Sequence, residues 1–159
     1  MQLTLYTDYS LRVLVYLGLK GEQLSTISEI ADHYGISRNH LVKVVHNLAG
    51  HGFIRTSRGK GGGMRLARRA EDINIGDVVR HTEGNFNLVE CFDVAGSGCP
   101  ITPICKLKGA LHKATRRFME VLDGYTLADV LENSEELSDM LHVVNIDSIG
   151  QADRGGNAG

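Results

Sequence analysis

The chain has 159 residues, a formal net charge of −2, three cysteines, two prolines and no tryptophan. With 42% hydrophobic and 23% charged residues it has enough apolar content for a core, which excludes the collagen-like, mucin-like and wholly disordered classes. The longest apolar stretch, Val13 to Leu19, falls far short of the ~20 residues that span a bilayer, so no membrane partner is expected.

Asp8 and Arg12 interrupt the N-terminal region, which argues against a signal peptide. An odd number of cysteines fits a thiol or metal site in a cytoplasmic protein better than a secreted disulfide framework. The charge is unevenly placed. Residues 1–80 hold 11 Lys and Arg against 7 Asp and Glu, whereas the remainder holds 6 against 12. From Arg55 to Arg69 there are six basic residues and no acidic one, a local footprint for phosphate on a chain that is neutral overall. The same run also reads as an ordinary solvated surface.

A first helix is predicted from Thr7 to Lys20, capped by Thr7, with Asp8 in its first turn and Gly21 after its end. It is apolar nearly all round, which places it centrally. Thr26 and Glu29 have capping-box spacing and start a second helix, whose stripe is Ile27, Ile30, Ala31 and Tyr34. Gly35 breaks it, Ile36 turns inward and Ser37 is expected to cap a third helix with the stripe Leu41, Val44, Val45 and Leu48. Two short amphipathic helices joined at a glycine form a helix-turn-helix. Arg38, Asn39, His40 and Lys43 then occupy the exposed first turns, where a recognition helix meets base edges. Ser37 and the nearby amides are placed to hold phosphate.

Phe53 to Ser57 and Met64 to Ala67 read as strands around the turn Arg58-Gly59-Lys60-Gly61-Gly62-Gly63, a wing. Arg58 and Lys60 supply charge at its tip, and Gly61 and Gly62 let the backbone approach a phosphate. A nucleotide-binding loop is the rival, but it lacks a Gly-Lys-Ser/Thr sequence and precedes a strand. Ile75 to Thr82 is a short helix capped by Asn74. Residues 85–103 look irregular. A long helix is predicted to start with Thr102 as cap and Pro103 in its first position. Its residues Ile104, Leu107, Leu111, Ala114, Phe118 and Val121 form a heptad seam suited to a dimer. A short helix over Leu127 to Leu131 follows, and the tail is expected to be disordered.

Cys91, Cys99 and Cys105 lie within fifteen residues, too widely spaced for the tight pairs usual in zinc sites. Iron–sulfur clusters tolerate such spacing. Cys105, in the first turn of the long helix, gains from the helix dipole. On the residues alone, iron–sulfur and zinc both stay open. No predicted helix carries a paired-carboxylate or His-x-x-x-His arrangement, and no nucleophile has an evident base near it in sequence, so an enzyme is not expected.

At this point the chain resembles the family of winged-helix, iron–sulfur repressors, and within it the nitric-oxide-sensitive branch. The likeness runs from Leu3-Thr4-Leu5-Tyr6-Thr7-Asp8-Tyr9-Ser10-Leu11-Arg12 to the long helix, and is most specific in Ser57 to Gly63 and the cysteine segment. The resemblance implies a homodimer with one iron–sulfur cluster per subunit, either 4Fe–4S or 2Fe–2S, ligated by Cys91, Cys99 and Cys105. It also implies a fourth ligand, Asp8 of the partner subunit. Read without the family, Asp8 is simply an acid at a helix N-terminus. A second branch of the family, with a redox or iron–sulfur role, places a histidine three residues after the third cysteine; here that position is Lys108. His112 reads as a surface residue.

The expected fold is mainly α with a small β-hairpin wing, that is, a winged helix-turn-helix plus a long dimerisation helix. The expected organisation is a DNA-binding domain over residues 1–80, a cluster-binding loop region over 81–103, a dimerisation helix and short C-terminal helix over 103–149, and a tail over 150–159. The expected function is a nitric-oxide-sensing repressor in the bacterial cytoplasm, at the nucleoid, bound to double-stranded DNA at a near-palindromic operator. A redox regulator of the second branch and a zinc-stabilised DNA-binding module are the alternatives.

Overall fold

The computed structural model describes residues 2–93 and 98–143, so the expected tail over 150–159 lies outside the described residues. The chain opens with α1, Leu5–Lys20. Its cap is Thr4, whose hydroxyl accepts the Thr7 amide at 3.3 Å, so the helix starts a few residues before the predicted position. The cause is tertiary. Glu83, beyond the far end of a later helix, accepts hydrogen bonds from the Thr4 amide at 2.8 Å and the Thr4 hydroxyl at 3.1 Å, fixing the cap. Thr7, relieved of capping, is buried and donates to the Thr82 hydroxyl at 2.9 Å.

The centre of α1 carries the core. Val13, Leu14, Tyr16 and Leu17 have no exposed surface, and burying a side chain of this size contributes about 1.5–3 kcal/mol. Helix α2, Ile27–Tyr34, begins with the expected capping box between Thr26 and Glu29. Glu29 also ties α2 to α1, accepting the Tyr16 hydroxyl at 2.9 Å and pairing with Lys20 at 3.1 Å. Gly35 ends α2 at φ 64°, ψ 32°, a left-handed conformation that an L side chain resists. Helix α3, Arg38–Gly50, then buries Leu41, Val44, Val45 and Leu48. Ser37 stands at its N-cap but makes no side-chain capping bond, contrary to expectation.

The wing consists of β1, Ile54–Ser57, paired antiparallel with β2, Gly63–Leu66, in the register Arg55 opposite Arg65 and Thr56 opposite Met64. An isolated one-residue bridge between Ser25 and Met64 joins this two-stranded wing to the segment before α2. At the wing tip, Gly59 and Gly61 have φ of 99° and 80°. A Cβ on Gly62 would overlap the Ser57 carbonyl.

Helix α4, Ile75–Thr82, has the expected Asn74 cap. Helix α5 runs from Lys106 to Asp123 rather than from Thr102. Thr102–Ile104 is a separate 3-10 turn, in which the Thr102 hydroxyl donates to the Cys99 carbonyl at 2.8 Å instead of capping a helix. Cys105 takes the cap position and so precedes the first turn. After Gly124 come two short helices rather than one: α6, Leu127–Val130, and α7, Ser134–Leu141. Both fold back, with Leu127 and Val143 buried and Leu131 packed against the core.

Helix α4 is fastened to the end of α5. The Arg80 guanidinium donates twice to the Asp123 carboxylate, each bond 2.6 Å, linking α4 to the end of α5. Beside it the Ile75 amide donates to the Tyr125 carbonyl at 2.9 Å and the Leu127 amide to the Ile73 carbonyl at 2.8 Å. No helix among the described residues is long and apolar enough to cross a membrane.

Candidate DNA-binding and metal-binding sites

Helix α3 is amphipathic because its apolar residues repeat at i, i+3, i+4 and i+7, so its other face must meet solvent. On that face, Ser37, Arg38, Asn39, His40 and Lys43 are all exposed. Arg38 makes only a loose ion pair with Asp32 at 3.6 Å, between largely exposed groups, which leaves it exchangeable for another anion. The wing places Arg58, Lys60 and Gly61 at an exposed tip, with Gly62 half-buried beneath them. The structure therefore presents these nine side chains and glycines on two neighbouring elements of one helix-turn-helix and its wing.

Two tyrosines of α1 anchor the candidate recognition helix, and the sequence reading did not identify them. The Tyr6 hydroxyl donates to the Lys43 carbonyl at 3.1 Å. Burial raises the Tyr6 pKa, which keeps the phenol a donor. The Tyr9 ring stacks on His40 with centroids 6.1 Å apart. The i, i+3 spacing of Tyr6 and Tyr9 was the available signal, since it puts both rings on one face of α1.

All three cysteines are thiols; Cys91 and Cys105 are half-buried and Cys99 is exposed. The Cys105 Sγ accepts the Lys108 amide at 3.4 Å at the start of an 18-residue helix, where the helix dipole also favours negative charge. Cys91 sits in a 3-10 turn, Glu90–Phe92. The next residue, Phe92, stacks face to face on His112 of α5, centroids 3.7 Å apart and planes within 2°. His112 is exposed as expected, but it also pins the cysteine segment to α5, a tertiary contact with no local signature.

Asp8 lies on α1, where it pairs with Arg12 at 2.9 Å. Among the described residues, no three His, Cys, Asp or Glu side chains converge closely enough to hold a metal ion. The protomer thus does not bring Cys91, Cys99, Cys105 and Asp8 together. In donor chemistry the set still fits an iron–sulfur group, which takes soft thiolates, and one thiol is already supported by an amide and a helix N-terminus.

The Rrf2 family profile, described as an iron-dependent transcriptional regulator, matches residues 3–133. The chain belongs to the Rrf2 family. As an Rrf2 protein it is a winged-helix transcriptional regulator and not an enzyme. Two regulators named HTH-type transcriptional regulator NsrR are similar over 142 residues, 89% of this chain. The one from Bacillus licheniformis is 50% identical with 99% of its length covered, and the one from Bacillus subtilis is 51% identical with 97% covered. Among solved structures, T. potens IscR superposes with a TM-score of 0.65 at 28% identity, covering 86% of this chain and 90% of that one. The cysteine regulator CymR of B. subtilis gives 0.63 at 26% identity over 82% and 95% of the two chains. The Rrf2 assignment agrees with the fold class and with the helix-turn-helix expected from the sequence.

Proposed function

We propose that this Rrf2 protein is a cytoplasmic, nitric-oxide-responsive transcriptional repressor acting at the bacterial nucleoid, whose operator affinity is set by an iron–sulfur cluster. The observation that carries the reading is that one helix, α5, combines a thiol at its start with an uncovered apolar seam. Ile104 just before it is 83% exposed, and Leu107 and Val121 within it are 66% and 61% exposed. Such a row in a protomer calls for a partner, and a second α5 fits it. The regulators named NsrR, about half identical over nearly their whole length, support the same reading.

In the homodimer, Cys91, Cys99 and Cys105 hold one cluster per subunit, 4Fe–4S or 2Fe–2S, together with Asp8 of the partner subunit. When bound, the cluster supplies iron that reacts with nitric oxide. The rest is done by the protein. Asp8 has to exchange its ion pair with Arg12 for a ligand role, so α1 has two alternative partners for one carboxylate. Tyr6 and Tyr9, flanking Asp8, hold the recognition helix. Arg38, Asn39, His40 and Lys43 enter the major groove of each half of a near-palindromic operator, and Ser37 with the neighbouring amides holds phosphate. Arg58 and Lys60, with Gly61 and Gly62 behind them, reach the adjacent minor groove.

The test uses protein purified without air. A visible absorption band that is lost on adding nitric oxide, together with weaker operator binding in a gel shift, is the expected result. Cys105→Ala should lack both the band and tight binding. A colourless protein holding stoichiometric zinc, or operator binding indifferent to nitric oxide, would refute the reading.

A further inference from the structure

Residues directly opposite on antiparallel strands hold their Cβ atoms about 5 Å apart on the same side of the hairpin, and like charges there are destabilising. In the wing, Arg55 of β1 stands directly opposite Arg65 of β2. Among the described residues, one carboxylate faces the two charges. Arg55 donates to the Ala67 carbonyl at 3.2 Å, which is neutral. Arg65 pairs with Glu22, whose side chain is 91% exposed, so the pair is solvated and open to exchange for another anion. Two open clefts, of about 640 and 450 Å³, both include Arg55, Arg65 and Glu22 in their walls. The same hairpin carries Arg58 and Lys60 at its tip, and among the described residues Glu22 is the one carboxylate bonded to any of these four cations.

Guanidinium forks match the oxygens of a phosphate or a carboxylate in two-bond contacts, and DNA offers the phosphate. From this geometry we infer that Arg55 and Arg65 clasp a single phosphate, and that its source is the DNA backbone flanking the groove reached by the wing. Glu22 competes with that phosphate for Arg65. The wing then touches DNA at two levels: the tip through Arg58 and Lys60, and the strand face through Arg55 and Arg65. The contact positions the protein without reading sequence. It rests on the DNA-binding reading above and adds a place to it.

The test measures operator and non-operator affinity of the full-length dimer across a salt series. Each phosphate contact contributes about one unit to the slope of log affinity against log salt. Arg55→Gln/Arg65→Gln should lower that slope by about one and weaken both duplexes by the same factor. Its melting temperature should stay level or rise, since a like-charge pair is removed. Arg55→Lys/Arg65→Lys, which keeps charge but not the forks, should keep the slope and lose only part of the affinity. Glu22→Gln should bind both duplexes more tightly.

An unchanged slope in the glutamine pair overturns the inference while leaving the operator reading intact. Failure of the wild type to bind operator overturns both. Titration with inorganic phosphate separates the sources. Saturable phosphate binding abolished by the glutamine pair, with an unchanged DNA slope, assigns the site to a free anion and overturns the DNA contact. Weaker DNA binding by Glu22→Gln overturns the competition.

Discussion

Arg80 and Asp123 face each other in a two-bond ion pair, both bonds 2.6 Å long, that fastens α4 to the end of α5. Hydrogen bonding from Arg80 holds the Asp123 carboxyl below its ordinary value, and the same bond raises the Arg80 pKa. Gly76 makes room for the pair, because a Cβ there would overlap Asp123 Oδ1. Gly76→Ala is expected to destabilise by about 1–2 kcal/mol, despite the better helix propensity of alanine, since overpacking outweighs it. Thermal melting checks this; a variant at least as stable as the wild type would show that Asp123 moves aside freely.

Glu29 gives a pH dependence with a definite sign. Burial raises its pKa, but hydrogen bonds from Lys20, Tyr16 and Thr26 outweigh this and leave it below the ordinary 4.5. A lowered carboxylate pKa stabilises the fold above the unfolded value and loses that stabilisation as pH falls through the folded value. Wild type should therefore exceed Glu29→Gln by about 1–2 kcal/mol at neutral pH, through charged hydrogen bonds between α1 and α2. The gap should close as the pH is lowered from 4.5. Denaturation curves at several pH values check it; a gap of constant size would remove Glu29 from acid sensitivity.

Asp8 makes one ion pair, with Arg12, and both side chains are about two-fifths exposed. Asp8→Ala should leave folding stability within about 0.5 kcal/mol of wild type, as exposed pairs usually do. The same variant should alter the visible spectrum of the iron-loaded protein. A large loss of stability with an unaltered spectrum would make Asp8 a structural residue.

A charge in the α5 seam should break the proposed dimer without unfolding the protomer. Leu107→Glu puts a charge where the protomer has solvent and a dimer has a partner's apolar row, and buried unpaired charge is costly. Monomer in sedimentation with an unchanged far-ultraviolet spectrum is expected. A persistent dimer would place the interface on another surface.

Gly62→Ala brings a Cβ against the Ser57 carbonyl, a backbone atom, and the turn has to open. Operator affinity should fall while the melting temperature, set by the distant core around Leu14 and Leu17, changes little. Equal affinity to wild type would mean that the wing tip does not touch DNA.

Helices with a clean stripe were legible in the sequence. The pattern Leu41, Val44, Val45, Leu48 emerges buried as read, and the Thr26–Glu29 box starts α2 where its spacing says. Failures occurred where a tertiary partner decided a boundary. Glu83 fixes Thr4 as a cap over Thr7, and the Cys99 carbonyl takes the Thr102 hydroxyl that would have capped a helix at Pro103. Helix α7 was missed because its packing depends on Leu137 and Leu141 reaching the distant core, not on a strong local period. At the site, the cysteine spacing and the exposed face of α3 were readable. The Phe92–His112 stack and the Tyr6 anchor join residues 20 and 37 positions apart and have no short-range signal.

The return of α6 and α7 bears on modularity. Leu127 and Val143 close the same core as α1, and a Cβ on Gly18 would meet Leu131. A shortened chain ending at Thr82 would bare that apolar surface, so the DNA-reading part is not a detachable cassette. Cutting the protein to isolate its winged unit would yield an aggregating fragment, and the intact chain should melt in one cooperative transition.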